Sequence, residues 1–166
     1  MTTSGDLETL YRQHALAVFR FAYGLSRHRA EAEDIVSETF ARVATRVRQV
    51  KTATARAYLL TVARNVFLDG RRRTARDARA LHEIQATPPN EAPRDETALL
   101  QHALAALGDL PEGERAALLL RLDHGLSYEE IAASLNISVA AAKVRVHRAR
   151  LRMTEARKSK GWDHEV

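Results

Sequence analysis

Apolar residues recur at spacings of three and four along most of the chain, and no stretch alternates long enough to argue a strand. In the first segment they fall at Leu7, Leu10, Tyr11, Val18, Phe21, Ala22 and Leu25, which predicts a helix with one inward face. A turn around 26–29 precedes a second helix with Ile35, Val36, Phe40, Val43, Val47 and Val50 on one side. A third begins near Ala55 and turns Tyr58, Leu59, Val62, Ala63 and Val66 inward. The pattern breaks after Arg79. Residues 82–94 read HEIQATPPNEAPR, and Pro88-Pro89 and Pro93 there stop helices and extend the chain. The expectation is an all-α protein of two small helical domains, 1–79 and 95–166, joined by a flexible linker over 80–94.

In the second domain Asp95 is a candidate N-cap. Leu99, Leu100, Ala103, Leu104 and Leu107 make the next inward stripe, and Gly108 fits a C-terminal cap. Pro111 suits the first position of a further helix, with Glu112 and Glu114 favourable in its first turn. That helix is expected to end at Gly125. Ser127-Tyr128-Glu129-Glu130 is a capping box opening a short helix through Ile131, Ala132 and Leu135. Asn136 supplies a tight turn, and Ser138 caps a final helix from Val139 to about Arg157.

A short helix, a turn and a longer basic helix form a helix-turn-helix pattern. On a helical wheel Ala142, Val146, Ala149 and Met153 share one face and are expected to pack on Ile131, Leu135 and Ile137. The opposite face carries Ala140, Val144, His147 and Arg148, flanked by Ala141, Lys143 and Arg150. Small residues at its start allow close approach to a duplex, and long basic side chains reach base edges and phosphates.

Composition narrows the function classes. Few aromatics and abundant Ala and Leu favour helix. A net charge of +5 suits an anionic partner without proving one. The absence of Cys excludes disulfides and thiolate metal sites. The scattered His residues show no metal-ligand spacing. No cofactor, no metal and no catalytic residue are expected. The N-terminal stretch lacks the apolar run of a signal peptide, and no apolar stretch reaches membrane-spanning length. A soluble, cytoplasmic protein without membrane insertion is the expectation.

The first domain has two charged faces. Arg42, Arg46, Arg48, Lys51 and Arg56 lie in a segment without acids, and Arg64, Asn65 and Arg71–Arg73 point away from the apolar side of the third helix. Such a surface fits phosphates, and its loop fits an unstacked base; Arg71–Arg73 alone read equally as a solvated face. Glu31, Asp34 and Glu38 form an acidic stripe on the second helix. An acidic stripe beside a basic surface points to a protein partner on one side and nucleic acid on the other.

EAEDIVSETFARV, AYLLTVARNVFLDGRRR and EEIAASLNISVAAAKVRVHRARLRM, in this order, resemble the polymerase-binding helix, promoter-melting helix and C-terminal helix-turn-helix of the extracytoplasmic-function group of the sigma-70 family. The resemblance implies a factor that binds core RNA polymerase and directs promoter recognition, melting and transcription initiation. Residues 1–79 would be sigma region 2 and 95–166 region 4. Glu31, Glu33, Asp34 and Glu38 would dock on the clamp helices of the beta-prime subunit, with further contacts to the beta subunit. Arg48, Lys51, Arg56, Arg64, Asn65, Asp69, Arg71, Arg72 and Arg73 would engage the minus-ten element of promoter DNA. Ser138, Ala140, Ala141, Lys143, Val144, His147 and Arg148 would engage the minus-thirty-five element, Ser138 holding a phosphate at the helix N-terminus. The linker would thread through polymerase, and an anti-sigma factor would hold the protein inactive. Five positions depart from the group: Ser37 stands where Gln is common, Ala140-Ala141-Ala142 where Gly-Thr-Val is usual, and Asn136 where Gly is usual.

Two other classes compete. A helix-turn-helix regulator acting without core polymerase would use residues 127–153 but leave the first domain's two faces without a purpose. A nuclease would need carboxylates or His gathered around a pocket, and the sequence shows neither.

Overall fold

The structure, a computed structural model, describes residues 4–46, 54–81 and 98–159. They form seven helices: α1 (Ser4–Ser26), α2 (Arg29–Ala44), α3 (Ala55–Leu81), α4 (Ala98–Asp109), α5 (Glu112–Leu122), α6 (Tyr128–Leu135) and α7 (Val139–Ser159). The chain divides into two compact units, Met1–Asn90 and Glu91–Val166. Asp95, Val47, Val50, Arg48 and Lys51, and residues 82–94 of the expected linker, lie outside the described residues. α3 runs to Leu81, so its last two residues are helix where the sequence pattern suggests linker.

In the first unit α1, α2 and α3 pack mutually. Val18, Phe21 and Leu25 from α1 meet Ile35, Phe40 and Val43 from α2 in a core that excludes water. The helices reverse at Arg27, whose backbone is left-handed with φ 61°. Ser26 Oγ accepts the His28 N–H at 3.3 Å and steadies this reversal. Two sequence expectations change. Tyr11 is half exposed, although its ring meets Phe40 edge-on at 4.9 Å. On α3, Leu60 and Phe67 join Leu59, Ala63 and Val66 in the core, while Tyr58 and Val62 sit at its margin. Two neighbouring helices bury a wider arc of α3 than a single stripe covers.

In the second unit α5, α6 and α7 enclose Leu120, Ile131, Leu135, Ala142, Val146 and Ala149. Here α4 is the exception. Leu99 is 60% exposed and Leu100 44%, Ala103 is exposed, and α4 buries no residue. Its partner within the unit is α7, so the expected inward stripe has little to face. α4 also runs through Gly108 to Asp109, and the left-handed glycine is Gly125, at φ 66°. Pro111 stands one place earlier than expected, as the N-cap of α5, and α5 ends at Leu122 rather than Gly125. The Gly125 turn lets the Leu126 N–H return to the Leu120 carbonyl at 3.0 Å. No helix among the described residues is long and apolar enough to cross a membrane.

Candidate nucleic-acid and partner surfaces

The helix-turn-helix is built from local bonds. Ser127 Oγ accepts the Glu130 N–H at 3.1 Å, and Glu130 Oε2 accepts the Ser127 N–H at 2.8 Å, completing the capping box. α6 stops at Asn136, whose left-handed backbone (φ 54°, ψ 51°) turns the chain. Asn tolerates this conformation better than a branched residue. The Ile137 N–H then closes back on the Ala132 carbonyl at 3.0 Å. Ser138 Oγ accepts the Ala141 N–H at 3.0 Å and caps α7. Its own O–H stays available to donate to an anion at that helix end.

These bonds fix the rotation of α7. Ala142, Val146 and Ala149 are buried against the unit, and Met153 is half-buried. Ala140, Lys143, Val144, His147, Arg148 and Arg150 are exposed, and Ala141 is half-buried at their edge. The outward row expected from the wheel is the outward row observed. Two further cations of α7 turn away from it. The Arg145 guanidinium covers Gly113 of α5, where an added Cβ would lie 2.6 Å from Nη1. Arg152 Nε pairs with Glu114 Oε2 at 3.0 Å.

Sequence reasoning missed one contributor to this surface. The Tyr128 ring lies under the Arg121 guanidinium at 4.3 Å and Lys143 Nζ at 5.8 Å. Cation–π attraction holds Lys143 beside the start of the outward row. An aromatic directly after a capping Ser, ahead of a basic helix, was the available signal.

The first unit arranges charge differently. Glu31, Asp34 and Glu38 share one side of α2 and border α3. Glu33 does not join them and pairs with Arg29 at 3.2 Å on its own helix. Arg42 bonds Glu38 at 2.9 Å and Asp69 at 3.0 Å, and these two carboxylates raise its pKa above the ordinary arginine value. Arg42 is thereby drawn out of the basic surface that its sequence neighbours suggested. Asp69 also stands 3.8 Å from Arg72, so it is an anchor for arginines. Arg71 lies over the Phe67 ring at 4.9 Å and reaches Glu31 at 3.4 Å. Asn65, Arg56, Arg71, Arg72 and Arg73 are exposed and Arg64 is half-buried, and Arg71 and Arg73 lie toward α2. The α3 cations are therefore spread around the helix rather than gathered on one face.

Comparison with known proteins gives a consistent answer for both units. The family described as Sigma-70 region 2 matches residues 10–77, and that described as Sigma-70, region 4 matches residues 100–153. The chain is 38% identical over 154 residues to the ECF RNA polymerase sigma factor SigE of Mycolicibacterium smegmatis, covering 89% of this chain and 60% of that one. It is 36% identical to the RNA polymerase sigma factor CarQ of Myxococcus xanthus, covering 89% of this chain and 87% of the relative. Among solved structures, the sigma factor RpoE of Bartonella quintana, in complex with the anti-sigma factor NepR, aligns with a TM-score of 0.82 at 27% identity, over 92% of this chain and 97% of that one.

Proposed function

The chain belongs to the extracytoplasmic-function group of the sigma-70 family of RNA polymerase sigma factors, and we propose that it joins core RNA polymerase and reads promoters through two surfaces of opposite design. Residues 1–79 serve as region 2 and 95–166 as region 4. In region 4 the outward row of α7 enters the major groove of the minus-thirty-five element. Ala140 and Ala141 let the backbone approach, Lys143 and Arg148 reach bases and phosphates, and Val144 and His147 lie between them. Ser138 donates to a backbone phosphate. In region 2 the acidic side of α2, Glu31, Asp34 and Glu38, docks on the basic clamp helices of the polymerase, Glu33 lending charge from the opposite side. Arg56, Arg64, Asn65, Arg71, Arg72 and Arg73, with Arg48 and Lys51 in the preceding loop, engage the minus-ten element, and Asp69 orients Arg72. The protein acts in the cytoplasm by binding and not by catalysis. A partner of the anti-sigma kind, such as the one holding the Bartonella relative, would keep it inactive.

The observation that carries this reading is the rotation of α7: the buried Ala142, Val146 and Ala149 leave the basic row facing out. Run-off transcription with purified core polymerase on a genomic promoter library tests it. Polymerase-dependent initiation at a defined set of promoters is expected, with little promoter affinity for the protein alone. Tight duplex binding by the free protein, with no effect on core polymerase, would identify a stand-alone regulator instead.

A further inference from the structure

In the second unit a groove of about 660 Å³ lies between α4 and the end of α7. Leu99, Ala103 and Ala106 line it from α4, and Met153 and Ala156 line it from α7. Leu99 and Ala103 are exposed, so the wall on the α4 side is apolar surface left in water. Such surface forgoes the stabilisation that burial gives. Arg157 and Ser159 line the same groove, and α7 is described as far as Ser159. The groove therefore reaches the point where the chain leaves α7.

Beyond Ser159, outside the described residues, the sequence continues Lys160-Gly161-Trp162. A glycine just past a helix commonly takes the left-handed conformation that caps it, and an apolar residue after it packs back on the last turn. With Gly161 as that glycine, the apolar residue is Trp162 and the positions it returns to are Ala156 and Arg157. Both line the groove. Three residues of chain reach about 10 Å, enough to turn back from Ser159. The undescribed residues at the other end of the unit, 91–97, read EAPRDET and hold no large apolar side chain to compete. A buried indole N–H needs an acceptor. The Thr154 and Ser159 hydroxyls donate to the Arg150 and Ala156 carbonyls at 2.9 and 3.0 Å, which leaves their oxygen lone pairs to accept it. We propose that the chain reverses at Gly161 and seats the Trp162 indole in the α4–α7 groove, so that the segment after α7 completes the apolar cover of α4. Tethering gives this occupant a high effective concentration, and any other must displace it. The inference stands apart from the sigma-factor reading above.

Trp162 is the chain's one tryptophan, so its fluorescence in the full-length protein tests the proposal directly. Its emission is expected to the blue of free N-acetyltryptophanamide, with acrylamide quenching severalfold slower, equally at low and high protein concentration. Ala103→Arg puts a charged side chain into the groove from an exposed position. Gly161→Val leaves the groove intact and disfavours the left-handed turn. Both variants should move emission and quenching to the values of the free amide while circular dichroism shows unchanged helix. Gln101→Arg, exposed on α4 and outside the groove lining, should behave as wild type. Should Ala103→Arg lose helix, Gly161→Val decides alone. A wild-type indole quenched as fast as the free amide overturns the proposal, as does shielding that survives Gly161→Val or a folded Ala103→Arg. Shielding that appears only at high protein concentration would give the groove to the tryptophan of a second copy and overturn it equally.

Discussion

In the first unit arginines stand among carboxylates of their own fold: Arg71 against Glu31, Arg72 near Asp69, Arg42 between Asp69 and Glu38. In the second unit Lys143, His147 and Arg148 form no ion pair among the described residues, and an aromatic ring supports Lys143. One surface is internally compensated and the other is left open to an anion. The difference suits two kinds of target. A duplex groove accepts a preformed charged row. On the reading proposed above, a melted strand meets arginines that carboxylates of the fold already restrain. The same contrast marks what shapes each surface. Caps and a left-handed turn, all within a few residues, orient α7. Ion pairs joining residues far apart in sequence, 27 positions for Arg42 and Asp69, orient α3.

The largest expected effect attacks the open surface. Lys143→Ala with Arg148→Ala removes two base or phosphate contacts, each worth about 1–3 kcal/mol. Promoter-directed transcription should fall by about a hundredfold with core binding and melting temperature unchanged. Unchanged transcription from a cognate promoter would show that the row has been assigned to the wrong face. A smaller effect separates the two ways of shaping a surface. Ser127→Ala should cost about 1 kcal/mol of local stability at any salt, read as faster amide exchange in α6. Arg42→Ala breaks half-exposed pairs and should cost less than about 1 kcal/mol, with the loss disappearing in high salt. Equal salt sensitivity in both variants would erase the distinction. Glu31→Gln sharpens the compensation argument: it frees Arg71 and should raise the affinity of the free protein for a minus-ten single strand about twofold at low salt. No change there would mean that the pairing restrains nothing. The smallest effect is a pH dependence in the first unit. Burial, and then the nearby charge of Arg56, hold the His14 pKa below its ordinary 6.5. The folded state therefore favours neutral His14. This contribution is complete above pH 6.5 and is lost as pH falls below it. Thermal melting at pH 7 and pH 5.5 should differ slightly more in the wild type than in His14→Gln.

How much was legible follows from the range of the interactions. The capping box, Asn136 and Ser138 act over three or four residues, so the sequence declared the helix-turn-helix and the outward row together. Tyr128 was overlooked because its contact with Lys143 crosses from one helix to the next. Leu60 and Phe67 were missed because periodicity reports one stripe, and α3 packs against two neighbours. α4 misled in the opposite sense: its Leu pattern is regular, yet within the unit it packs chiefly on α7 and buries no residue. Gly108 looked like a cap, but the helix ends where Pro111 constrains Leu110 before it. The acidic stripe on α2 was visible. Its pairing with Arg42 and Arg71 depends on how α3 crosses α2, which no local pattern encodes.

The interleaving on α7 has a consequence for engineering. Ala142, Val146 and Ala149 hold the helix in place, and residues 140, 143, 144, 147 and 148 are exposed. On the reading proposed above, the promoter address and its mount interleave along one helix without sharing a side chain. The address can be rewritten as a set while the mount is kept, which makes this helix a replaceable cartridge for building orthogonal promoter–factor pairs.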